Sequence, residues 1–229
     1  MIQEKLIILG TKYLSITEGE FKKRIKESGA QRIKDWEEMG IERFYQETES
    51  YIYDLIDFNT EFRLDNLLHP IKYARGLKIL EYGAGLGVSL VLLGDSHTTY
   101  YYDLPSKTQD FAKYINKNTG NKTIFIDTPE EALGLPLDLI ICADVLEHLE
   151  DPMDLVKKIT RSLEPGKLFL TTGLDFSVGE HIPMHLKSNL QYKKEHDEYM
   201  FKNYMLVYFH PTVNETVYLW KKRLGAQKK

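Results

Sequence analysis

The stretch Lys78-Ile79-Leu80-Glu81-Tyr82-Gly83-Ala84-Gly85-Leu86-Gly87-Val88-Ser89-Leu90 decides how the rest of the chain is read. A short apolar run ends on an acid and opens at once into three alternate glycines, the pattern of a buried strand, a glycine turn and the first turn of a helix. Glycine tolerates positive φ and lets main chain come within contact distance of a ligand, so three of them directly after a strand point to a cofactor pressed against backbone. The plainer reading is an ordinary strand-to-helix turn, and the segments downstream decide between the two.

Spacing discriminates among cofactors. The dinucleotide fingerprint G-x-G-x-x-G/A, begun at Gly83 and Gly85, requires a small residue where Val88 stands; begun at Gly85 and Gly87, it meets Leu90. What fits is Glu81-x-Gly83-x-Gly85-x-Gly87, an acid two residues before the glycines. This resembles motif I of the class I S-adenosylmethionine-dependent methyltransferases, in which the loop holds the methionine and ribose part of the cofactor.

From residue 76 onward strand and helix signals alternate, which argues for an α/β fold with a parallel sheet wrapped by helices. Thr98-Thr99-Tyr100-Tyr101-Tyr102 is the second strand and ends at Asp103, sixteen residues past Gly87. A carboxylate at that strand end can accept hydrogen bonds from ribose hydroxyls. A helix over about 106–118 precedes a third strand, Thr123 to Ile126, ending on Asp127-Thr128, and Asp127 reads equally well as a turn acid before Pro129. Leu137-Asp138-Leu139-Ile140-Ile141-Cys142-Ala143 is a fully apolar-faced fourth strand of the kind found in the middle of a parallel sheet. The run that follows, Asp144-Val145-Leu146-Glu147-His148-Leu149 with Asp151-Pro152, resembles the motif IV region of the same family.

Lys167 to Thr172 makes a fifth strand after the turn Glu164-Pro165-Gly166. A polar helix to about Lys202 leads into Tyr204–Phe209 and Glu215–Trp220, which flank Pro211 to Asn214 as a terminal hairpin. The resemblance covers about residues 77–221 and implies a Rossmann-like, seven-stranded, mostly parallel sheet closed by an antiparallel hairpin. It also implies cofactor contacts from Glu81, Gly83, Gly85, Gly87, Asp103, Asp127 and Ala143, with Leu104 against the adenine.

Residues 1–75 read as helices instead. Thr17-Glu18-Gly19-Glu20 has capping-box spacing ahead of apolar positions at helical intervals, and Asn59 or Thr60 can cap a helix ending near His69-Pro70. By resemblance this segment is expected to be a lid that supplies substrate contacts, with Tyr45 and Tyr51 the named candidates, and residues 76–229 the S-adenosylmethionine-binding domain. Core packing is the competing role for these tyrosines.

Methyl transfer from a sulfonium needs no acid for its leaving group, so the protein must align the acceptor and, for a hydroxyl or amine, remove a proton. Asp144, His148, His181 and His185 are the candidate bases, each at the carboxyl end of a predicted strand or in the loop beyond it, where open α/β sheets bind ligands. The resemblance sets His148 behind the other three, because the histidine of this family's Glu-His pair most often plays a structural part. Glu180, His181 and His185 suggest a metal set because the histidines are four apart, but Pro183 and the missing acid break the H-E-x-x-H pattern. No metal is expected.

The net charge of −4 over 229 residues, with acids and bases interspersed, supplies no basic field and argues against nucleic acid as the substrate. One cysteine, Cys142, excludes an internal disulfide framework and suits a reducing compartment, so the expected location is cytoplasmic. No apolar run approaches the length of a membrane span. The function expected from these readings is methyl transfer to an O or N atom of a small molecule or peptide. The alternative is a non-catalytic S-adenosylmethionine-binding subunit that docks a partner through its aromatic helices.

Overall fold

The structure is a computed structural model and describes residues 2–172, 184–211 and 216–225. It divides into two compact units that interleave along the chain: Met1–His69, Gly85–Asp95 and Asp103–Thr123 in the first, and Pro70–Ala84, Ser96–Tyr102 and Ile124–Lys229 in the second.

The first unit is helical, with α1 (Ile2–Leu14), α2 (Glu18–Met39), α3 (Ile41–Glu47), α4 (Ser50–Phe58), α5 (Glu61–Leu68), α6 (Val88–Leu93) and α7 (Lys107–Thr119). The starts follow from capping chemistry. Thr17, Thr60 and Ser106 each accept the main-chain N–H three residues on, satisfying a donor the first turn leaves open. Gly120 closes α7 in the left-handed region, where a side chain would crowd the preceding carbonyl. Leu6, Phe21, Ile52, Ile56, Phe111 and Ile115 meet in one buried cluster, so the N-terminal helices share a core with α7.

The second unit carries the sheet: β1 (Lys78–Tyr82), β2 (Thr98–Tyr102), β3 (Ile124–Phe125), β4 (Leu139–Cys142), β5 (Leu168–Thr171), β6 (Tyr204–Pro211) and β7 (Thr216–Lys222). Among the described residues the order is β3-β2-β1-β4-β5-β7-β6. The first five strands run parallel, β7 is antiparallel to β5, and β6 is antiparallel to β7 with a register irregularity between Leu206 and Tyr208. This is the mostly parallel sheet with a terminal antiparallel hairpin expected above. β4 is buried along its whole length, which is what an uninterrupted apolar run between two parallel neighbours requires.

Helices α8 (Pro129–Gly134), α9 (Pro152–Ser162) and α10 (Lys193–Asn203) complete this unit. Asp127 lies in a bend, and α8 opens directly after it: Thr128 accepts the Glu131 N–H and Pro129 sits where its missing N–H costs nothing. The third strand, expected over Thr123 to Ile126, is two residues long, Ile124–Phe125, although the Ile126 N–H still donates to the Tyr101 carbonyl of β2. Asp151 and Pro152 open α9 as expected. The core joins Leu80, Ile140, Val156, Ile159, Phe169 and Trp220, tying α9 to both the parallel strands and the hairpin.

Candidate active site

Strand order reverses beside β1. Successive parallel strands step outward to β2 and β3 on one side and to β4 and β5 on the other, and in open α/β sheets the carboxyl ends of the strands at such a reversal form a ligand crevice. Glu81 lies there, buried in β1 and paired in register with Tyr101 of β2 and Ile141 of β4. Ala143 and Asp144 follow β4 directly, and Asp127 stands exposed just after β3.

Gly83, Gly85 and Gly87 all have positive φ, at 71°, 53° and 64°. At Gly83 the requirement is steric as well as conformational: an added Cβ would run into the Val145 side chain, and the Gly83 N–H closes the β1 end by donating to the Tyr102 carbonyl at 2.9 Å. A Cβ at Gly85 would stand 3.3 Å from Leu55 Cδ1 of α4. The loop is therefore drawn as bare main chain, the form a closely approaching ligand needs.

Asp103 follows β2 and accepts two main-chain N–H groups, Gly85 at 2.6 Å and Leu104 at 2.7 Å. Burial raises its carboxyl to about 6, and these two hydrogen bonds pull the other way. Each carboxylate oxygen has two acceptor positions, so one on each remains for the hydroxyls of a ribose. Leu104 beside it is 45% exposed and offers an apolar surface.

Asp144 adopts a φ of 53°, a left-handed conformation that few residues besides glycine tolerate and that aspartate adopts more readily than most. It is held there by Thr172 just beyond β5, whose hydroxyl accepts the Asp144 N–H and donates to Asp144 Oδ1, both at 2.9 Å. Buried Cys142 reports the charge at this strand end: burial pushes its thiol well above the usual range, and Glu147, Asp144 and Glu81 add to the rise, in that order. Three carboxylates thus act on one point at the end of β4.

His185 lies close to His148, with ring centroids 5.1 Å apart and planes at 74°. His181 lies outside the described residues. Tyr45 on α3 and Tyr51 on α4 belong to an aromatic cluster with Trp36 and buried Phe44; the two tyrosine rings stand 5.4 Å apart. Sequence reading passed over Leu55 beside Gly85, Thr172 beneath Asp144, and the meeting of His185 with the Glu147-His148 turn. A threonine at the end of the fifth strand was visible as a strand-end polar group; the other two depend on pairings between distant segments.

The glycine loop, an acid at the end of β1 and another after β2, and the hairpin-closed sheet are the features of the class I methyltransferase fold. A family model described as a methyltransferase domain matches residues 45–210, and the chain belongs to that family, whose cofactor is S-adenosylmethionine. Over 123 residues it is 28% identical to the ubiquinone biosynthesis O-methyltransferase of Nitrosospira multiformis, a match covering 48% of this chain and 52% of that protein. The match thus spans about half the length of that curated relative.

Among solved structures, an S-adenosylmethionine-dependent methyltransferase from Aquifex aeolicus aligns with a TM-score of 0.55 at 15% identity, over 71% of this chain and 94% of that one. The [4+2]-cyclase SpnF aligns at 0.56 and 12%, over 72% and 81%. An RNA methyltransferase from Salinibacter ruber, in complex with S-adenosyl-L-homocysteine, aligns at 0.52 and 11%, over 74% and 96%. At these identities the likeness is one of fold, and chemistry has to be argued from the residues.

Proposed function

We propose that the chain transfers a methyl group from S-adenosylmethionine to an O or N atom of a small molecule or peptide. The observation that carries this reading is the glycine loop: three consecutive alternate glycines in left-handed conformations, one of them hydrogen-bonded to Asp103. Glu81, Gly83, Gly85, Gly87, Asp103, Leu104, Asp127 and Ala143 are assigned to the cofactor. Asp103 holds the ribose hydroxyls, and the bare loop admits the methionine part. When bound, the cofactor supplies a methyl carbon whose bond to a positively charged sulfur breaks as the acceptor's lone pair attaches, leaving a neutral thioether.

The chain's own work is then to align the acceptor and take its proton. Asp144, locked by Thr172, is a fixed carboxylate suited to that step, and His181 and His185 are assigned to it as the alternative bases. Tyr45 and Tyr51 are assigned to the acceptor, within N-terminal helices that act as a lid. The relative named above as an O-methyltransferase supports an oxygen acceptor. The charge balance supports a substrate other than nucleic acid, and the single cysteine supports work in a reducing cytoplasm. Among the described residues no helix is long and apolar enough to cross a membrane.

Two measurements test this. Calorimetry with S-adenosylmethionine, its demethylated product and NAD should show binding of the first two; binding of NAD alone would overturn the reading. Mass spectrometry of a cell extract incubated with methyl-labelled cofactor should show a labelled small molecule or peptide that depends on the protein. Cofactor binding with no labelled product, together with a stoichiometric co-purifying partner, would favour a non-catalytic binding subunit.

A further inference from the structure

Glu147, His148 and His185 each place one ligand atom within 4.8 Å of the other two. We propose that these three residues form a binding site for one divalent transition-metal ion. This departs from the metal-free expectation: the spacing of His181 and His185 along the chain says nothing of Glu147 and His148, which only the fold brings to His185.

The convergence is built, because several hydrogen bonds fasten the segment carrying His185 to the 3-10 turn Leu146–His148. The Leu186 N–H donates to the Glu147 carbonyl at 3.0 Å. The buried Asn189 amide donates to the carbonyls of Glu147 at 2.9 Å and Leu146 at 3.2 Å. His185 is thereby fixed from both sides by main-chain and side-chain anchors on neighbouring residues.

The fourth fastening selects a tautomer. His148 Nδ1 lies 3.0 Å from the Met184 carbonyl oxygen. A carbonyl can only accept, so Nδ1 carries the proton, and Nε2 of the neutral ring keeps its lone pair. Metal-ligating histidines use this arrangement, the second nitrogen donating to a carbonyl that sets the ring's orientation. Glu147 is 2% exposed, and a carboxylate buried to that degree is costly unless charge or hydrogen bonding compensates it. Together with Asp144 and Glu81 it makes the end of β4 a region of negative charge, where a dication is favoured.

The donor set narrows the ion. Two imidazoles and one carboxylate suit zinc, manganese, iron or cobalt, whereas magnesium and calcium prefer all-oxygen shells. Neighbouring ligand atoms around a tetrahedral ion with bonds of about 2.1 Å stand about 3.4 Å apart, so metal entry would draw the three groups inward by roughly an ångström. Three protein ligands leave a position open, the pattern of catalytic rather than structural zinc. That position would take an oxygen of the methyl acceptor, with His185 then a ligand and proton removal left to Asp144, the one part of the inference that rests on the methyl-transfer reading.

The test is titration of chelator-treated, tag-free protein with Co²⁺ and with Zn²⁺, followed by visible absorption for cobalt and calorimetry for both. Expected is uptake of one ion per chain, with Mg²⁺ unable to compete. Glu147→Gln and His185→Ala should each weaken uptake by roughly tenfold or more, while His69→Ala, at an exposed histidine outside the cluster, should not. Circular dichroism checks that each variant folds, and His185→Gln replaces His185→Ala if the latter does not. Absence of uptake, or parent affinity in both Glu147→Gln and the His185 variant, would overturn the site and leave an imidazole–carboxylate cluster. Metal uptake without S-adenosylmethionine binding would overturn the methyltransferase reading alone.

Discussion

The Gly85 main-chain N–H donates to Asp103 Oδ2 at 2.6 Å, tying the middle of the glycine loop to the acid that follows β2. The loop conformation and the ionisation of Asp103 are therefore one system, and pH should act on both. Burial raises Asp103 to about 6, whereas an unfolded aspartate loses its proton near pH 4 (about 3.9). The folded chain binds the extra proton between those values, so the stability of the ligand-free protein falls as pH rises through that window. Cofactor binding runs the other way, because ribose hydroxyls donate to the ionised form. Affinity for S-adenosylmethionine should drop by up to about tenfold per pH unit below 6, and Asp103→Asn should bind weakly with a flat profile. Calorimetry from pH 5 to 7 reads this; a flat profile in the parent protein would remove Asp103 from the ribose.

Gly85→Ala and Gly85→Leu separate backbone strain from ligand exclusion. A φ of 53° costs an L-residue about 1–2 kcal/mol, and the alanine Cβ meets only the movable end of Leu55 at 3.3 Å. Gly85→Ala should therefore lower the melting temperature by a few degrees, while Gly85→Leu should abolish cofactor binding in a protein that still folds. Retained binding in Gly85→Leu would show that the ligand lies elsewhere.

Leu55 beside Gly85 also links α4 to the loop, which gives the proposed lid a physical handle. Hydrogen exchange across residues 41–57 should slow when the demethylated cofactor product is added. Protection of the glycine loop with no change in that segment would return Tyr45 and Tyr51 to core packing.

Lys222 at the end of β7 is 3% exposed, and its ammonium donates to the Thr160 carbonyl at 2.6 Å and to that of Leu163. These carbonyls belong to the last turn of α9 and the residue after it, where a cation is favoured by the unpaired acceptors. Lys222→Met keeps most of the side-chain volume and removes the donors, so urea unfolding should show a loss of about 2–3 kcal/mol. An unchanged midpoint would mean that water or neighbouring groups replace the ammonium.

The alternation of strand and helix signals, the caps at Thr17, Thr60, Ser106 and Asp151, and the glycines at 83, 85 and 87 are local in origin. A short capping side chain reaches a main-chain N–H three residues on, and an apolar run between turn residues has few other places to go than a sheet interior. The reading was least accurate at the edge of the sheet, where the third strand, expected over Thr123 to Ile126, is only Ile124–Phe125: an edge strand has one neighbour to pair with, and its ends are not fixed by local signals.

The sequence by itself determined which segments would be strands, where the cofactor loop would turn left-handed, and that an acid would stand at the end of β2. Each depends on residues within a few positions of one another. Only the tertiary structure decided that Leu55 meets Gly85, that Thr172 holds Asp144, and that Leu186 and Asn189 fasten His185 to the Glu147-His148 turn. Those meetings join segments about thirty residues or more apart, and strand pairing and core packing select them together, with no periodicity in the chain to announce them.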